Sequence, residues 1–435
     1  MPECVVVQVG QCGNQIGSRF WDLILHEHAK HNRSATYDES FAAFFKNKDS
    51  SGTAIGYGQK VSYLEARGLL VDMEEGVVGQ VLKSRIGELF SHNQIVTSNS
   101  GSGNNWAVGY AVYGPEYRER LLDALRIEAE QCDSLQSYFL INSIGGGTGS
   151  GLGSYMVEML EDNFPRVQRF ASVLCPSAND DVVTSPYNSI LSYSKLIDHA
   201  ECILPIENQA LADICDRVGS FAGSHGRPKR EAIKPGSAIT DSLGTGSRPS
   251  NFDAMNNIAA NLLINLTSSM RFEGSLNVDL NDITTNLVPF PRLKCLISSM
   301  APLYVAADHA VYSRNMDQMF TDCFQRDSHL LKVDPKSGVY LGCGLITRGD
   351  IELSDLRRNI ERIRPTLKFP VWNTENWKTG VCAIPPAGQP RCVLQVSNNT
   401  CVQTSLKSMV ERFTKLYRRR VRLNRNSEIV RHWCI

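Results

Sequence analysis

Seven consecutive small residues, Gly145-Gly146-Gly147-Thr148-Gly149-Ser150-Gly151, stand between the apolar run Tyr138 to Ile144 and an amphipathic stretch. A strand therefore feeds a helix through nearly bare backbone, the arrangement in which successive N–H groups turn toward one anion. The helix start adds unsatisfied donors and its positive dipole end, while Thr148 and Ser150 offer hydroxyls. A flexible Gly/Ser linker is the competing reading, but linkers rarely separate a buried strand from a periodic helix. Neither common phosphate motif fits: no GKS or GKT closes the loop, and the run does not follow GxGxxG.

The same rhythm opens the chain. Cys4 to Val9 reads as a buried strand meeting Gly10-Gln11-Cys12-Gly13, after which Ile16, Phe20, Leu23 and Ile24 recur at helical spacing. A strand at Gly68 to Met73, a Gly-rich loop at Ser100 to Asn105 and a helix from about Pro115 to Gln131 follow. Strand-like runs return at Phe170 to Cys175 and Cys202 to Ile206. Alternation of this kind predicts an α/β fold with a parallel, Rossmann-like sheet that binds ligands at the carboxyl ends of its strands. Arg217 to Asn251 is rich in Gly, Ser and Pro, carries Arg227, Lys229, Arg230 and Lys234, and reads as a long exposed loop. Met255, Ile258, Ala259, Leu262, Leu263 and Leu266 then form the wide apolar stripe of a core helix. Beyond Pro289, strands (Leu293 to Met300, Tyr340 to Thr347, Cys392 to Val396) alternate with helices (Met316 to Phe324, Ser354 to Ile363, Ser405 to Tyr417) as a second α/β domain. The expected division is a nucleotide-binding domain at 1–251 including the inserted loop 217–251, a long central helix at 252–272, a second domain at 273–403, and a C-terminal helix with a basic tail at 404–435.

At 435 residues, 42% hydrophobic and 21% charged, the chain has ample core. Lys+Arg and Asp+Glu are both 45, so no global field draws it to nucleic acid or membrane. The N-terminus shows no secretory pattern, and no apolar stretch approaches the ~20 residues of a membrane span, which predicts a cytoplasmic protein. Thirteen Cys without ligand spacing suit free thiols in a reducing compartment.

Five segments, in order and in register, resemble the tubulin superfamily: Gly10 to Gly17 (GQCGNQIG), Ser100 to Trp106 (SGSGNNW), the triglycine loop, Ser185-Pro186-Tyr187-Asn188, and Asn286 to Pro291 (NLVPFP). The prokaryotic FtsZ-like branch shares the glycine loop but lacks most of the rest. Met73 to Val77, Asp180 to Pro186, Asp253 to Asn257 and the inserted loop resemble the epsilon branch in particular. The resemblance implies GTP or GDP, held at its phosphates by Ser143, Gly145, Gly146, Gly147, Thr148 and Gly149. Gln11 joins them, with Ser102, Gly103 and Asn104 beside the γ-phosphate. Cys12 falls under the nucleoside, where a plain packed thiol is an equal reading. Asp72 and Glu74, two apart at a strand end, project to one face; by family position they would hold a water-coated Mg²⁺, and without it they read as a solvated loop edge. Asn208 and Asn256 would read guanine and Phe252, usually Tyr in the family, would stack on it. Ser185 departs from the Glu that helps bind ribose; Asp181 remains nearby, which predicts altered affinity or exchange.

Hydrolysis in the superfamily is completed between subunits. Here the loop Gly274 to Asp282 would cap a neighbour's nucleotide, with Asp279 and Asp282 at the positions of the two acids. The second is normally Glu, and a ~1 Å misplacement costs on the order of 100-fold; the other reading for these acids is a helix cap. The expected partners are other tubulins in head-to-tail contact and centriolar microtubules, with no nucleic acid and no membrane. The resemblance also implies a cytoskeletal location at centrosome, centriole and basal body. The basic C-terminus, Arg412 to Arg431, stands where tubulins continue into a helix pair and a variable tail, so a truncated or spliced product and an adapted binding tail are both open. Rival classes are a metabolic enzyme on a doubly wound fold, for which a ribose-reading acid after GxGxxG is missing, and a GTP-loaded adaptor that neither hydrolyses nor polymerises.

Overall fold

The computed structural model describes residues 2–177, 180, 182–224, 251–303, 315–373 and 376–419. Eight strands lie in its first half: β1 Glu3–Val9, β2 Phe45–Lys48, β3 Tyr63–Ala66, β4 Gly68–Asp72, β5 Ile95–Thr97, β6 Leu135–Ser143, β7 Gln168–Cys175 and β8 Cys202–Glu207. Six of them form an all-parallel sheet in the order β5-β4-β1-β6-β7-β8. All seven residues of β1 are buried, as a central strand covered on both faces requires, and its apolar stretch from Cys4 to Val7 shows no alternation. The order reverses between β1 and β6: from β1 the chain builds outward through β4 and β5, then returns to the other side. The loops leaving these two strands diverge and open a crevice at their carboxyl ends.

The helix Gly10–His31 covers one face of this sheet and packs on the helix Asn251–Leu266. The latter buries Ile258, Ala259, Leu262 and Leu263 completely. It joins a core that runs from Val6, Phe20 and Ile141 through to Leu296, Ile346 and Leu394 of the second sheet. The helices Gly114–Glu130, Gly153–Asn163 and Ser185–His199 cover the opposite face. A mixed sheet follows, in the order β11-β10-β12-β9, from β9 Leu296–Ala301, β10 Tyr340–Gly349, β11 Trp377–Cys382 and β12 Arg391–Asn399. β11 runs parallel to β10, and β12 is antiparallel to both β10 and β9. Helices Met316–Cys323 and Leu353–Ile363 pack over it.

Three sequence expectations shift. The helix after β8 continues from Asn208 to Ser224, so 217–224 are helical rather than the start of a loop; the basic positions Arg227, Lys229, Arg230 and Lys234 lie outside the described residues. The central helix is broken at Thr267, whose hydroxyl donates back to Leu263 O at 2.9 Å, and a short turn Ser268–Arg271 completes it. The last described helix spans Val402–Arg418, and the tail positions Arg420, Arg422, Arg425 and Arg431 are not among the described residues.

One buried ionic cluster ties the layers together. Glu27 Oε2 accepts from Arg271 Nη1 at 2.7 Å and Glu27 Oε1 from Arg348 Nη1 at 3.0 Å, with all three side chains at most 2% exposed. The backbone N–H of Ala387 adds a bond to Glu27 Oε1 at 3.1 Å. Burial alone would raise the Glu27 carboxyl, but the guanidiniums of Arg348 and Arg271 overcome it and hold the group at about 2.

Candidate functional site

The candidate residues leave the sheet together. Gly10, Gln11 and Cys12 follow β1; Asp72 ends β4 and Glu74 lies just beyond; Ser102, Gly103 and Asn104 follow β5; Ser143 ends β6 and leads into Gly145 to Gly149; Asn208 follows β8. All lie at or beyond the carboxyl ends of parallel strands; the loops after β1 and β6 flank the crevice, and Asn208 follows the edge strand β8. Asp181, on the loop after β7, is outside the described residues.

At Gly147 and Gly149 the glycine loop is held by contacts that leave no room for a side chain. A Cβ on Gly149 would stand 2.7 Å from Ser143 O, and one on Gly147 would stand 2.4 Å from Ser102 Oγ and 2.5 Å from Asn105 N. Gly10, at φ +77°, approaches from β1 so closely that its Cβ would meet Gly149 N at 2.9 Å. Beneath the loop Asn142 Nδ2 donates to Gly149 O at 2.7 Å, and above it Ser102 Oγ and Thr148 Oγ1 share a hydrogen bond of 2.9 Å. Gly145 N donates to Ser143 Oγ at 3.2 Å. Thr148–Leu152 then winds as a wide π-helical turn before the regular helix, an irregularity that recurs at functional sites. The result is a concave backbone surface suited to an anionic ligand.

On the β4 side, Asp72 is 3% exposed and its Oδ2 finds no hydrogen-bond partner among the described residues. Burial pushes its carboxyl up to about 6, the neighbouring Glu74 adds to this, and the backbone N–H groups of Met73 and Glu74 oppose it. Glu74 is exposed, and its Oε1 would stand 2.6 Å from a Cβ on Gly101 of the next loop. An unpartnered buried carboxylate oxygen beside an exposed one fits a hydrated divalent cation, which would supply charge neutralisation to phosphate oxygens. Among the described residues, however, no cluster of three metal-ligating side chains occurs.

Cys12 is partly buried, and burial pushes its thiol up to about 12, which disfavours the thiolate. Phe252 is 63% exposed at the start of its helix, and Asn256 lies one turn further on. Among the described residues, no hydrogen bond or close approach to a glycine joins Asn208, Phe252 or Asn256 to the glycine loop. Ser185 is buried with its Oγ 3.3 Å from the Cβ position of Gly145, and Asp180 Oδ2 stands 3.4 Å from the same point.

Asp279 and Asp282 lie elsewhere. Asp279 caps the helix Leu280–Leu287, accepting from Asp282 N at 2.7 Å, and its Oδ2 accepts from Gln136 Nε2 at 2.7 Å. Gln136 stands near the amino end of β6, whereas Ser143 and the glycine loop occupy its carboxyl end. Seven steps of strand separate them, roughly 23 Å at about 3.3 Å per residue. The two acids are therefore at the opposite pole of the sheet from the phosphate cradle, and Asp282 is engaged by Lys378 Nζ at 3.1 Å.

A further residue escaped the sequence reading as a functional candidate. Asn188, fully buried, donates through Nδ2 to Asn104 O and to Gly145 O, both at 2.9 Å, and accepts from Trp106 N at 3.0 Å. Its position within the quoted Ser185-to-Asn188 segment was the only signal in the sequence, since all three partners are backbone groups from other elements.

Residues 3–216 match the Tubulin/FtsZ family, GTPase domain, and residues 291–411 the Tubulin C-terminal domain. The chain is 51% identical over 430 residues to the tubulin epsilon chain of Mus musculus, covering 98% of this chain and 90% of the relative. The chain belongs to the tubulin family. The human tubulin epsilon chain is 50% identical over the same coverage, against 34% for the nucleomorph tubulin beta chain of Guillardia theta, with 98% and 90% covered. Within the tubulin family this sequence thus stands nearer to those epsilon chains than to that beta chain. Membership carries a GTPase-type nucleotide domain and guanine-nucleotide binding with it, in keeping with the backbone cradle found at the switch point. Among the described residues no helix is long and apolar enough to cross a membrane.

Proposed function

We propose that this tubulin-family chain is a GTP-binding cytoskeletal subunit of epsilon type, acting at centrioles and basal bodies in the organisation of microtubules, with hydrolysis completed between subunits. The observation that carries the reading is polarity: the phosphate cradle at one end of β6 and the acids Asp279 and Asp282 at the other cannot meet within one chain. Head-to-tail stacking would bring one subunit's acids to the next subunit's cradle, exclude water and complete the charge arrangement only on assembly.

In this reading the backbone N–H groups of Gly146 to Gly149, with Thr148 Oγ1 and Gln11, bind the phosphates. Asn104 and Ser102 orient the terminal one, and Asp72 with Glu74 hold Mg²⁺ through water. Asn208 and Asn256 recognise guanine, and the exposed ring of Phe252 supplies the stacking face. Asp282 would orient water on the neighbour's nucleotide; its own cradle awaits another subunit's acid. Other tubulins are the partners, and the similarity to the two epsilon chains supports the centriolar assignment.

A second reading is favoured by one contact. Because Asp282 is held by Lys378 and lies in the capping box with Asp279, the chain can serve as a GTP-loaded adaptor whose acids are structural. Nucleotide extraction from purified protein, with single-turnover GTP assays in the presence and absence of co-purifying tubulins, separates the two. Stoichiometric guanine nucleotide with partner-stimulated turnover lost in Asp282→Ala supports the first reading; bound nucleotide without stimulation supports the adaptor. Folded protein that takes up no guanine nucleotide overturns both.

A further inference from the structure

Two loops that face the same crevice are joined from behind by one side chain. The loop after β5 carries Ser102 to Asn105, and the loop after β6 begins at Gly145. Asn188 lies in the first turns of the helix Ser185–His199, with none of its surface open to solvent. Its amide has two donor hydrogens, and both are spent: one on Asn104 O and one on Gly145 O, each at 2.9 Å. Its oxygen accepts from Trp106 N at 3.0 Å. One amide thus fixes the β5 loop on both sides of Asn105 and ties it to the first glycine of the cradle.

The clamp acts where the backbone turns sharply. Asn104 has φ +53°, the left-handed region that asparagine enters more readily than other non-glycine residues. Its carbonyl receives a second bond from Thr184 Oγ1 at 2.6 Å. With the carbonyl fixed from behind by two donors, the peptide groups around Asn104 are held toward the crevice. The remaining ties between the loops are the Ser102–Thr148 hydroxyl pair and the close approach of Gly147 to Asn105 N. Both lie further along the glycine loop than Gly145.

We propose that Asn188 is a positioning residue for the terminal phosphate. Without touching the nucleotide, it sets the spacing between the β5 loop and the glycine cradle, and thereby the preference for a triphosphate over a diphosphate. The inference rests on the reading that places GTP in this cradle with Asn104 beside its γ-phosphate. Loss of the clamp frees the β5 loop while the cradle keeps Asn142 beneath it, so diphosphate binding is spared and triphosphate binding is not.

The test measures dissociation constants of GDP and of a non-hydrolysable triphosphate analogue for the full chain, in magnesium, for wild type and Asn188→Ser. The expected result is a triphosphate affinity reduced about tenfold more than that for GDP, the scale of losing one hydrogen bond. Leu196→Ala supplies the comparison: Leu196 is fully buried on the same helix, about three turns from Ser185 in the core beneath the sheet, so its loss should lower thermal stability and leave the triphosphate-to-diphosphate ratio unchanged. An equal fall for both nucleotides in Asn188→Ser, or no change in folded protein, overturns the proposal. If Asn188→Ser does not fold, Thr184→Val decides by the same criterion: a shift of about threefold in the ratio supports the clamp, and an unchanged ratio overturns it. Wild-type protein that binds neither nucleotide overturns the underlying assignment and this inference with it, whereas tight binding with an unmoved ratio overturns only the role of Asn188.

Discussion

Lys378 Nζ stands 3.1 Å from Asp282 Oδ1 across a half-exposed contact between β11 and the helix Leu280–Leu287. The acid proposed to act on a neighbour's nucleotide is therefore tethered in the isolated chain. Pairs of this exposure contribute roughly 0–1 kcal/mol, so docking can release it. Lys378→Met is expected to raise partner-stimulated turnover about threefold. Asp282→Asn should lower it about 100-fold or more. Single-turnover phosphate release in co-assembled tubulin measures both, and equal rates for the three proteins would assign Asp282 to helix capping alone.

Gly149→Ala places a methyl group 2.7 Å from Ser143 O, where only backbone could yield. The cradle must open, and purified protein should carry at least about tenfold less extractable nucleotide than wild type under matched conditions. Gly103 has open space at its Cβ position but a φ of +56°, so Gly103→Ala should strain the loop by ~1 kcal/mol and weaken retention far less. Nucleotide quantitation of the two variants checks the order.

Asp72 presents an unpartnered buried oxygen to the crevice. Replacing it by Asn removes a buried charge, so Asp72→Asn should unfold later in urea than wild type when nucleotide and magnesium are absent, by about 1–3 kcal/mol. The same variant should lose the magnesium dependence of nucleotide retention. A variant less stable than wild type, or one that keeps full magnesium dependence, would remove Asp72 from the cation site.

Glu27 is the shared partner of two buried guanidiniums. Its carboxyl lies at about 2 against 4.5 for the ordinary group, so its folded-state value is depressed. The stability it contributes is fully present above about 4.5 and is lost as pH falls through about 2, amounting to ~3 kcal/mol. Glu27→Gln leaves Arg271 and Arg348 uncompensated and should cost about 3–5 kcal/mol at neutral pH. The wild-type excess over Glu27→Gln should shrink between pH 4.5 and 2, as equilibrium urea unfolding across that range would show.

The parts of the fold that were legible are those in which burial writes a local pattern. β1, β6 and β7 are covered on both faces and read as strands from their apolar centres, Val5 to Val7, Tyr138 to Ile141 and Val173 to Cys175, and the glycine loop announces itself by composition. The hairpin of β2 and β3 was not legible because its buried polar residues compensate one another: Lys46 lies 2.9 Å from both Glu65 and Glu128, and a sequence such as Phe-Lys-Asn-Lys resembles a solvated edge. The helix end at 217–224 was misread as loop because Gly219, Ser220 and Gly223 dilute its period. At the site, the glycine loop alone was read as a phosphate cradle from its residues, while Gln11, Ser102, Gly103, Asn104, Asn208, Phe252 and Asn256 entered through resemblance, since nothing in the spacing of the last three points to a purine. Asn188 stayed hidden because its three bonds go to main-chain atoms 43, 82 and 84 positions away.

A pocket walled by main chain has a vocabulary of one. Alanine, the smallest possible edit, already collides with the walls at Gly10, Gly147 and Gly149, so these positions offer a lineage almost nothing to adjust. Around the phosphates, room for adjustment lies instead in the side chains that grip these loops from outside. They include Asn142, Thr184 and Asn188, each bonded to a main-chain oxygen of the two loops.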